Sequence, residues 1–299
     1  MPDILVVGSL NTDLVVRAPR FPQPGETISG EDLQVIPGGK GANQAVAAAR
    51  LGSSVSMLGR VGKDNFGDML LINLKSNQVD SQLVQRDDAS TGTAIIIVDS
   101  NGQNSIVLSA GANGKVSSAD ITSFLDHKLL MLQLEIPLET VFSAAQRAHE
   151  NGLRVILNPA PAQQIPAALI ARADFIIPNE TELSLLTGLP VSDINSTEQA
   201  ARKLLDQGAQ NVIVTLGSKG ALIVTPTQVT QVDTYVVEVV DTTAAGDAFI
   251  GGFATALLQD RSLEESVRYG CACGALATTK FGAQPSLPTR ADVEKLFNT

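Results

Sequence analysis

The stretch Asp241-Thr242-Thr243-Ala244-Ala245-Gly246-Asp247-Ala248-Phe249 lies between two apolar segments that predict a strand and a helix. Residues 235–240 before it alternate as in a strand, and residues 249–258 after it predict a buried helix. Small residues at such a junction let a ligand approach the backbone, and the first amides of a helix attract anions. We interpret Asp247 as a base for a nucleophile that attacks a bound phosphate. An acid at a helix start is also common for structural reasons.

The composition limits the partners that the chain can have. Its 299 residues carry a formal net charge of −10, and 4% of them are aromatic, with no Trp. This acidic balance argues against nucleic acid or an anionic membrane as a partner. We find no leader segment and no apolar run of about 18 residues, so we expect a cytoplasmic protein. Cys271 and Cys273 are predicted to be core residues and not metal ligands.

The hydrophobic pattern predicts an α/β fold with a mainly parallel sheet covered by helices. Strands predicted at 3–7, 130–134, 154–157, 174–177 and 211–214 are continuous apolar runs, and helices are predicted at 138–150, 263–279 and 290–298. Polar residues follow the strands, where open α/β sheets bind ligands. They are Asn11, Asp13, Glu135, Asn179, Glu182 and Thr215. Asn11 and Asp13 could bind sugar hydroxyls, but taken alone they are better explained as turn residues that cap their own backbone. The repeated placement of Glu135, Asn179, Glu182 and Thr215 favours one shared edge, although each could be a helix cap. The first three of these could hold substrate or hydrated Mg²⁺.

Two short β-rich segments interrupt this pattern and predict a small sheet that acts as a lid. We predict strands at 27–29, 33–36, 93–99 and 105–109, the last two joined by Ser100-Asn101-Gly102-Gln103. The predicted lid comprises residues 13–36 and 91–110, and the predicted catalytic domain comprises residues 1–12, 37–90 and 111–299. A lid excludes water when it closes over a site.

Two further turns are candidates for binding. Pro37-Gly38-Gly39-Lys40-Gly41-Ala42-Asn43-Gln44 leads into a helix that is predicted over residues 45–52. It is neither a P-loop nor a dinucleotide fingerprint, and we interpret it as a site for a small polar ligand, with a flexible entry turn as the alternative. Lys280-Phe281-Gly282-Ala283-Gln284-Pro285-Ser286 is rich in carbonyl groups that suit a cation, although most such turns bind nothing.

The two glycine-containing stretches carry a family resemblance. With Gly38-Gly39-Lys40-Gly41-Ala42-Asn43-Gln44-Ala45 and Asp241-Thr242-Thr243-Ala244-Ala245-Gly246-Asp247, the sequence resembles the ribokinase-like (PfkB) family of carbohydrate kinases over nearly its whole length. The resemblance implies a three-layer αβα domain with a β lid that also forms a homodimer interface. It implies transfer of the ATP γ-phosphoryl group to O5 of D-ribose, with Mg²⁺ and with K⁺ or a similar monovalent cation as activator.

The resemblance also implies roles for individual residues. Asp247 would be the catalytic base, and the backbone amides of Ala244, Ala245, Gly246 and Asp247 would form the anion hole. The implied sugar ligands are Asn11, Thr12, Asp13, Gly39, Lys40, Gly41, Ala42, Asn43, Glu135 and Asp247. The implied ATP contacts are Asn179, Thr215, Leu216, Gly217, Ser218, Lys219, Gly220, Gly246, Asp247 and Cys271. Asn179 and Glu182 would organise Mg²⁺, and the K⁺ ligands would be Asp241, Thr243, Ala277, Lys280, Gly282 and Ser286.

Two residues depart from the family pattern, and two rival functions stay open. Cys271 stands where many members have a larger polar residue beside adenine, and Ile250 replaces a polar residue. One rival is a related kinase for deoxyribose, fructose, a ketodeoxy sugar acid or a nucleoside. The spacing of Asn11 and Asp13 favours ribose over deoxyribose. The other rival is a non-catalytic sugar-binding protein, which the intact Asp247 and Lys40 argue against.

Overall fold

The computed structural model describes residues 3–122, 124 and 127–298 of the chain. The strands in these residues are β1 Ile4–Val7, β2 Asn11–Arg17, β3 Gln34–Gly38, β4 Val55–Gly62, β5 Asp80–Asp87, β6 Gly92–Val98, β7 Asn104–Ser109, β8 Leu129–Leu132, β9 Arg154–Leu157, β10 Phe175–Ile176, β11 Asn211–Thr215, β12 Ala221–Val224 and β13 Val229–Val232. The α-helices are α1 Lys40–Arg50, α2 Asn65–Ser76, α3 Leu138–Glu150, α4 Ala167–Ile170, α5 Glu180–Thr187, α6 Ile194–Asp206, α7 Ala245–Leu258, α8 Leu263–Ala277, α9 Ala283–Ser286 and α10 Arg290–Phe297.

Nine strands form the central sheet, in the order β13-β12-β11-β10-β9-β8-β1-β4-β5. The seven strands from β11 to β5 run parallel, and β12 and β13 are antiparallel additions at one edge. Alternate residues of β1 enter opposite apolar clusters. Ile4 packs in the cluster that contains α1, α7 and α8, and Leu5 packs in the one that contains α3 and α6. The predicted parallel sheet between two helical layers is therefore confirmed.

Four strands form a separate small sheet in the order β3-β2-β6-β7. Only residues 8–10 separate β1 of the central sheet from β2 of the small sheet. At the end of the small sheet nearest the central sheet, Asn11 lies opposite both Gly38 and Gly92. This confirms the predicted small sheet, and the hairpin of β6 and β7 agrees closely with the strands predicted at 93–99 and 105–109.

Several predicted elements differ from the structure. Residues 235–240 and 27–29 are not strands, so these two predictions were wrong. Val236, Val239 and Val240 are instead exposed at 100%, 60% and 61%, because no neighbouring strand lies along them. The strand predicted to reach residue 134 ends at Leu132, and α1 begins at Lys40, five residues before the predicted start. Gly39 precedes α1 with φ 87°, a left-handed value that glycine adopts without strain.

The remaining general predictions concern the cysteines and the membrane. Cys271 and Cys273 are free thiols buried in α8, as predicted for core residues. Among residues 3–122, 124 and 127–298, no helix is both long and apolar enough to cross a bilayer.

Candidate active site

The turn before α7 has the features that the sequence predicts for an anion site. Ala244 adopts the left-handed conformation, with φ 59° and ψ 9°, although it is not a glycine. The amide of Ala245 donates to Thr242 O at 3.2 Å. Within the described residues, the amides of Gly246 and Asp247 have no backbone or side-chain acceptor, so they are available to an anion in front of the helix.

The Asp247 carboxylate lies in the first turn of α7 and is held at both oxygens. Asn43 Nδ2 donates to Oδ2 at 2.9 Å, and Gln44 Nε2 donates to Oδ1 at 3.0 Å. Asp247 is 6% exposed. These donors reach it because α1 and α7 pack at unusually short range. A Cβ added to Gly251, one turn beyond Asp247, would lie 2.6 Å from the Ala47 Cβ.

Glu135 is the centre of the predicted sugar site. Its Oε2 accepts from Ser9 Oγ at 2.5 Å, from the amide of Lys40 at 3.0 Å and from Asn11 Nδ2 at 3.4 Å. These hydrogen bonds join the turn after β8 to the end of β1 and to the start of α1. Thr12 Oγ1 and Asn43 Oδ1 are buried and have no hydrogen-bond partner in the described part of the protein. Asn43 already contacts Asp247, so its oxygen is the one of the two that lies at the site, whereas Thr12 points to the opposite face of β2 from Asn11 and Asp13.

Lys40 and four carboxylates share this site. Burial by itself lowers the pKa of Lys40, but Asp247, Glu135, Glu182 and Asp13 outweigh it, and the pKa is raised overall. Burial, together with the charges of Glu135 and Asp247, raises the pKa of Asp13 to about 7. The site is therefore negative without ligands, and Lys40 is its positive centre.

A cleft of about 660 Å³ adjoins the start of α7. Seven of the predicted ATP contacts line it: Asn179, Thr215, Gly217, Ser218, Gly220, Gly246 and Cys271. The other three, Leu216, Lys219 and Asp247, are not among the residues that line the cleft. Leu216 is buried, and Lys219 forms a 4.0 Å ion pair with Glu180. Burial and the neighbouring Asp233 raise the pKa of the Cys271 thiol to about 12, so this thiol is neutral and inert in the cleft wall.

Asn179 and Glu182, the predicted Mg²⁺ organisers, form a capping box at the start of α5. Asn179 Oδ1 accepts from the Glu182 amide at 2.8 Å, and the Glu182 carboxylate accepts from the Asn179 amide at 2.9 Å. Burial, with a contribution from Asp247, raises the pKa of Glu182. A divalent cation in front of this pair would relieve that charge. The described residues contain no cluster of three or more His, Cys, Asp or Glu that could hold a metal. Such an ion would therefore take most of its ligands from phosphate and water, as Mg²⁺ usually does.

Asp241 joins the anion turn to the predicted cation loop. Its Oδ1 accepts from the amide of Thr243 at 2.9 Å and from the Thr243 hydroxyl at 2.7 Å, and its Oδ2 accepts from the amide of Gly282 at 2.9 Å. Arg50 Nη1, at the end of α1, donates at 2.8 Å to the carbonyls of Gln284 and Leu287. Ala283–Ser286 of the predicted loop form the short helix α9, so only residues 278–282 are a turn between α8 and α9. A carboxylate beside carbonyl groups is a donor set that a monovalent cation accepts, since carbonyl oxygens can replace its hydration shell.

Four polar residues of the site were not predicted as functional from the sequence. Gln44, Gln133 and Asn158 form a buried chain of amides that leads to Asp247. Asn113 holds Asn11, because its Nδ2 donates at 2.7 Å to Asn11 Oδ1. Gln44 lies within the Gly38–Ala45 stretch, and Gln133 and Asn158 follow predicted strands, but the sequence assigns no role to any of these three or to Asn113. The sequence does contain an indication for Gln44, because this glutamine stands beside Asn43 and interrupts the apolar face of an alanine-rich helix.

The chain matches the family model "pfkB family carbohydrate kinase" over residues 1–290. It is 42% identical over 294 residues to a ribokinase of Haemophilus influenzae, which covers 97% of this chain and 96% of that protein. It is also 42% identical over 293 residues to a deoxyribokinase of Salmonella typhi, with 96% of each chain covered. The solved structure of Arabidopsis thaliana ribokinase complexed with ribose and ATP superposes with a TM-score of 0.93 at 36% identity, over 100% of this chain and 99% of that one.

Proposed function

Because the chain belongs to the pfkB family of carbohydrate kinases, we propose that it transfers the γ-phosphoryl group of ATP to the O5 hydroxyl of D-ribose. The products are D-ribose 5-phosphate and ADP. The observation that carries this proposal is the position of Asp247. Its buried carboxylate lies beside Lys40 and Asn43, while Ala245 and Gly246 of the same turn line the 660 Å³ cleft. A sugar hydroxyl and a nucleotide phosphate can therefore meet at one turn of one helix.

Ribose is the preferred substrate because the sugar side of the site is rich in polar groups. Asn11, Glu135 and Asn43 offer amide and carboxylate groups to several hydroxyls, and a buried polar group left without its partner is costly. The relative named as a ribokinase and the solved ribokinase complexed with ribose support this assignment. Deoxyribose is the second candidate, because the relative named as a deoxyribokinase is equally identical to this chain.

The chemistry follows from the positions of these groups. Asp247 accepts the proton of the O5 hydroxyl as the new O–P bond forms, which makes a weak nucleophile competent. The amides of Gly246 and Asp247 have no acceptor in the described residues and would donate to the oxygens on which negative charge develops. Such donors act strongly because they are oriented in advance. Mg²⁺, when bound with ATP near Asn179 and Glu182, would neutralise phosphate charge. The protein's remaining task is to position both substrates.

A monovalent cation is the second part of the proposal. It would lie in the loop that follows α8 and would be held by Asp241, Thr243, Ala277, Lys280, Gly282 and Ser286. Support comes from the hydrogen bonds by which Asp241 connects this loop to the anion turn. With Mg²⁺ held constant, we expect faster turnover in K⁺ than in a buffer whose only monovalent cation is tetramethylammonium. Equal kcat in the two buffers would contradict the cation site.

We also propose a homodimer formed through the small sheet. Ile95 and Val107 are paired across β6 and β7, and they are 49% and 64% exposed on the same face of the small sheet, while Ile106 and Leu108 are exposed on the other face. Exposed apolar side chains that adjoin one another in this way are typical of interfaces. Val107→Lys should convert a dimer into a monomer in light scattering after gel filtration, and a wild-type monomer would contradict the proposal. The lid domain that we propose comprises residues 13–36 and 91–110, and strands β2 and β3 of the small sheet extend beyond it to Asn11 and Gly38. A cytoplasmic location suits an enzyme that consumes ATP, and nucleic acid and membranes are not expected as partners.

One experiment tests the function directly. Production of ADP is measured with ribose, deoxyribose and fructose, with and without K⁺, and the phosphorylated position is read by ³¹P–¹H NMR. We expect the highest kcat/KM for ribose and phosphate at O5. Asp247→Asn should keep the fold and lower kcat by roughly 10²- to 10⁴-fold. Turnover of that variant within threefold of wild type would remove Asp247 from the role of base.

A further inference from the structure

Three buried amide side chains link the central sheet to Asp247, and we call them the amide chain. Asn158 Nδ2 donates to the carbonyl of Ile177 at 3.0 Å, and Gln44 Nε2 donates to Asn158 Oδ1 at 3.1 Å. Gln133 Nε2 donates to Gln44 Oε1 at 2.6 Å. Gln44 and Gln133 are 0% exposed, and Asn158 is 7% exposed. The three amide side chains are not ionisable, so Asp247 is the only ionisable group among these hydrogen-bonded residues.

The amide chain has only one consistent orientation. The carbonyl of Ile177 can only accept, so Asn158 must direct its NH₂ group there and its oxygen toward Gln44. Gln44 must then present its NH₂ group to Asn158 and its oxygen to Gln133. The same NH₂ group has a second hydrogen, and the Oδ1 atom of Asp247 lies 3.0 Å away. The main chain of the sheet therefore determines that Gln44 offers a donor to the base.

We propose that Gln44 is a positioning residue for the catalytic base Asp247, and that Gln133 and Asn158 hold its amide in the donating orientation. The inference rests on the proposed function, in which Asp247 takes the proton of the sugar hydroxyl. Gln44 and Asn43 are consecutive residues of α1, and together they restrain both carboxylate oxygens. Hydrogen bonds to the charged form of a carboxylate favour ionisation, so Gln44 keeps the base ready to accept a proton.

Other charges near Asp247 are unchanged when Gln44 is replaced. Lys40 on α1 attracts the Asp247 charge, while Asp13 on β2 and Glu182 on α5 repel it. A change in the pH dependence of a Gln44 variant can therefore be attributed to the lost amide donor. Loss of packing alone would change stability without moving the pH profile.

The test compares Gln44→Leu with Thr255→Val. Thr255 is buried in the same helix as Asp247 and bonds Ser53 at 2.9 Å, two turns away from the site, so it controls for the loss of a buried polar contact. For Gln44→Leu we expect kcat to fall about 10- to 100-fold, the range for one hydrogen bond to a charged group. The KM for ribose should stay within about threefold, and the acid limb of the kcat profile should move to higher pH because the charged carboxylate loses a donor. Thr255→Val should retain wild-type kcat and pH profile.

Two outcomes overturn the inference. One is a folded Gln44→Leu variant whose kcat is within threefold of wild type. The other is a lower kcat with an unmoved acid limb, which would mean that Gln44 does not act on the base. If Gln44→Leu fails to fold, Gln133→Leu is tested in its place. We expect its kcat to fall about three- to tenfold and the acid limb of its kcat profile to move to higher pH. An unchanged kcat in Gln133→Leu would refute the role of the amide chain. Any sugar that the wild type phosphorylates can serve as substrate. The test of Gln44 therefore remains valid even where the proposal that ribose is the substrate fails.

Discussion

Replacing Gly41 by alanine tests how closely α1 must approach the end of β1. A Cβ at this position would lie 2.6 Å from the amide nitrogen of Ser9 and 2.8 Å from the carbonyl oxygen of Ser9. Ordinary contacts begin at 3.4 Å, so the start of α1 would have to retreat by about 0.8 Å. All three nearest atoms belong to the backbone, and no side-chain rotation can relieve the overlap.

The retreat would break the bonds that position the sugar ligands. The amide of Gly41 donates to Ser9 Oγ at 3.3 Å, that of Ala42 to Ser9 O at 2.9 Å, and that of Lys40 to Glu135 at 3.0 Å. A misplacement of nearly 1 Å in an active site costs about 100-fold in rate, so kcat/KM for ribose should fall by about that factor. Overpacking costs about 1–3 kcal/mol, and the higher helix propensity of alanine returns about 1 kcal/mol, so the variant should still fold.

The assay measures ADP release at varied ribose and varied ATP, together with the melting temperature. The KM for ATP should change less than threefold, because the residues that line the nucleotide cleft lie outside the start of α1. Gly114→Ala is the matched control, since its Cβ would lie at an ordinary 3.5 Å from the Ala110 Cβ. A folded Gly41→Ala enzyme with wild-type kcat/KM for ribose would refute the argument that close approach at Gly41 positions the sugar ligands.

Two further predictions concern charge. Arg60 bonds Asp120 through two nitrogens, at 2.7 and 2.9 Å, and Asp87 at 2.7 Å. Because Arg60 is partly exposed, Arg60→Ala should lower the free energy of unfolding at pH 7 by about 1–3 kcal/mol, the range for hydrogen bonds to charged groups. Burial opposes ionisation of Asp120, but Arg60 and the Ser117 amide lower its pKa overall; the stabilisation is therefore lost as pH falls through that lowered pKa, and chemical denaturation should show the variant and wild type converging below about pH 4. The pH dependence of stability has the opposite sign at Asp13, because burial and the charges of Glu135 and Asp247 raise the pKa of this carboxyl group to about 7. Its contribution to stability is lost progressively as pH rises from about 4 to about 7 and does not change above that. Asp13→Asn should therefore stabilise the ligand-free protein by up to about 4 kcal/mol at pH 8 and by about 1–2 kcal/mol at pH 5, and an equal effect at both values would contradict the raised pKa.

The large elements were predictable because their patterns are local. The apolar run of β1 predicts a buried strand, and the spacing of apolar residues in α3 predicts a helix with one buried face. The motif around Asp247 includes all the residues that form its turn. Residues 235–240 misled the prediction because β-branched residues favour strands wherever they occur. Here, however, four of these residues, including Val236, line the nucleotide cleft and pair with no strand.

The site was predictable where residues of a known motif carry the chemistry, and not where a distant residue does. Gln44 reaches Asp247 across 203 positions of the sequence, and Asn113 reaches Asn11 across 102 positions. Such contacts depend on which helices and strands become neighbours, and one sequence carries no record of that. Ala244 is a similar case, because its left-handed conformation follows from the turn around it and not from its residue type.

The end of the small sheet that adjoins the central sheet has a mechanical consequence, and it consists of one row of paired residues. Asn11, Gly38 and Gly92 lie side by side in that row, and Asn11 and the residues that follow Gly38 are also the proposed sugar ligands. A rotation of the small sheet about this row would therefore turn about the proposed sugar site. Linkage then requires reciprocity: whatever factor the sugar contributes to such a closure, the closure must contribute to the affinity for the sugar. A substitution that stiffens residues 8–10 would thus act as a regulator of sugar binding without touching the sugar.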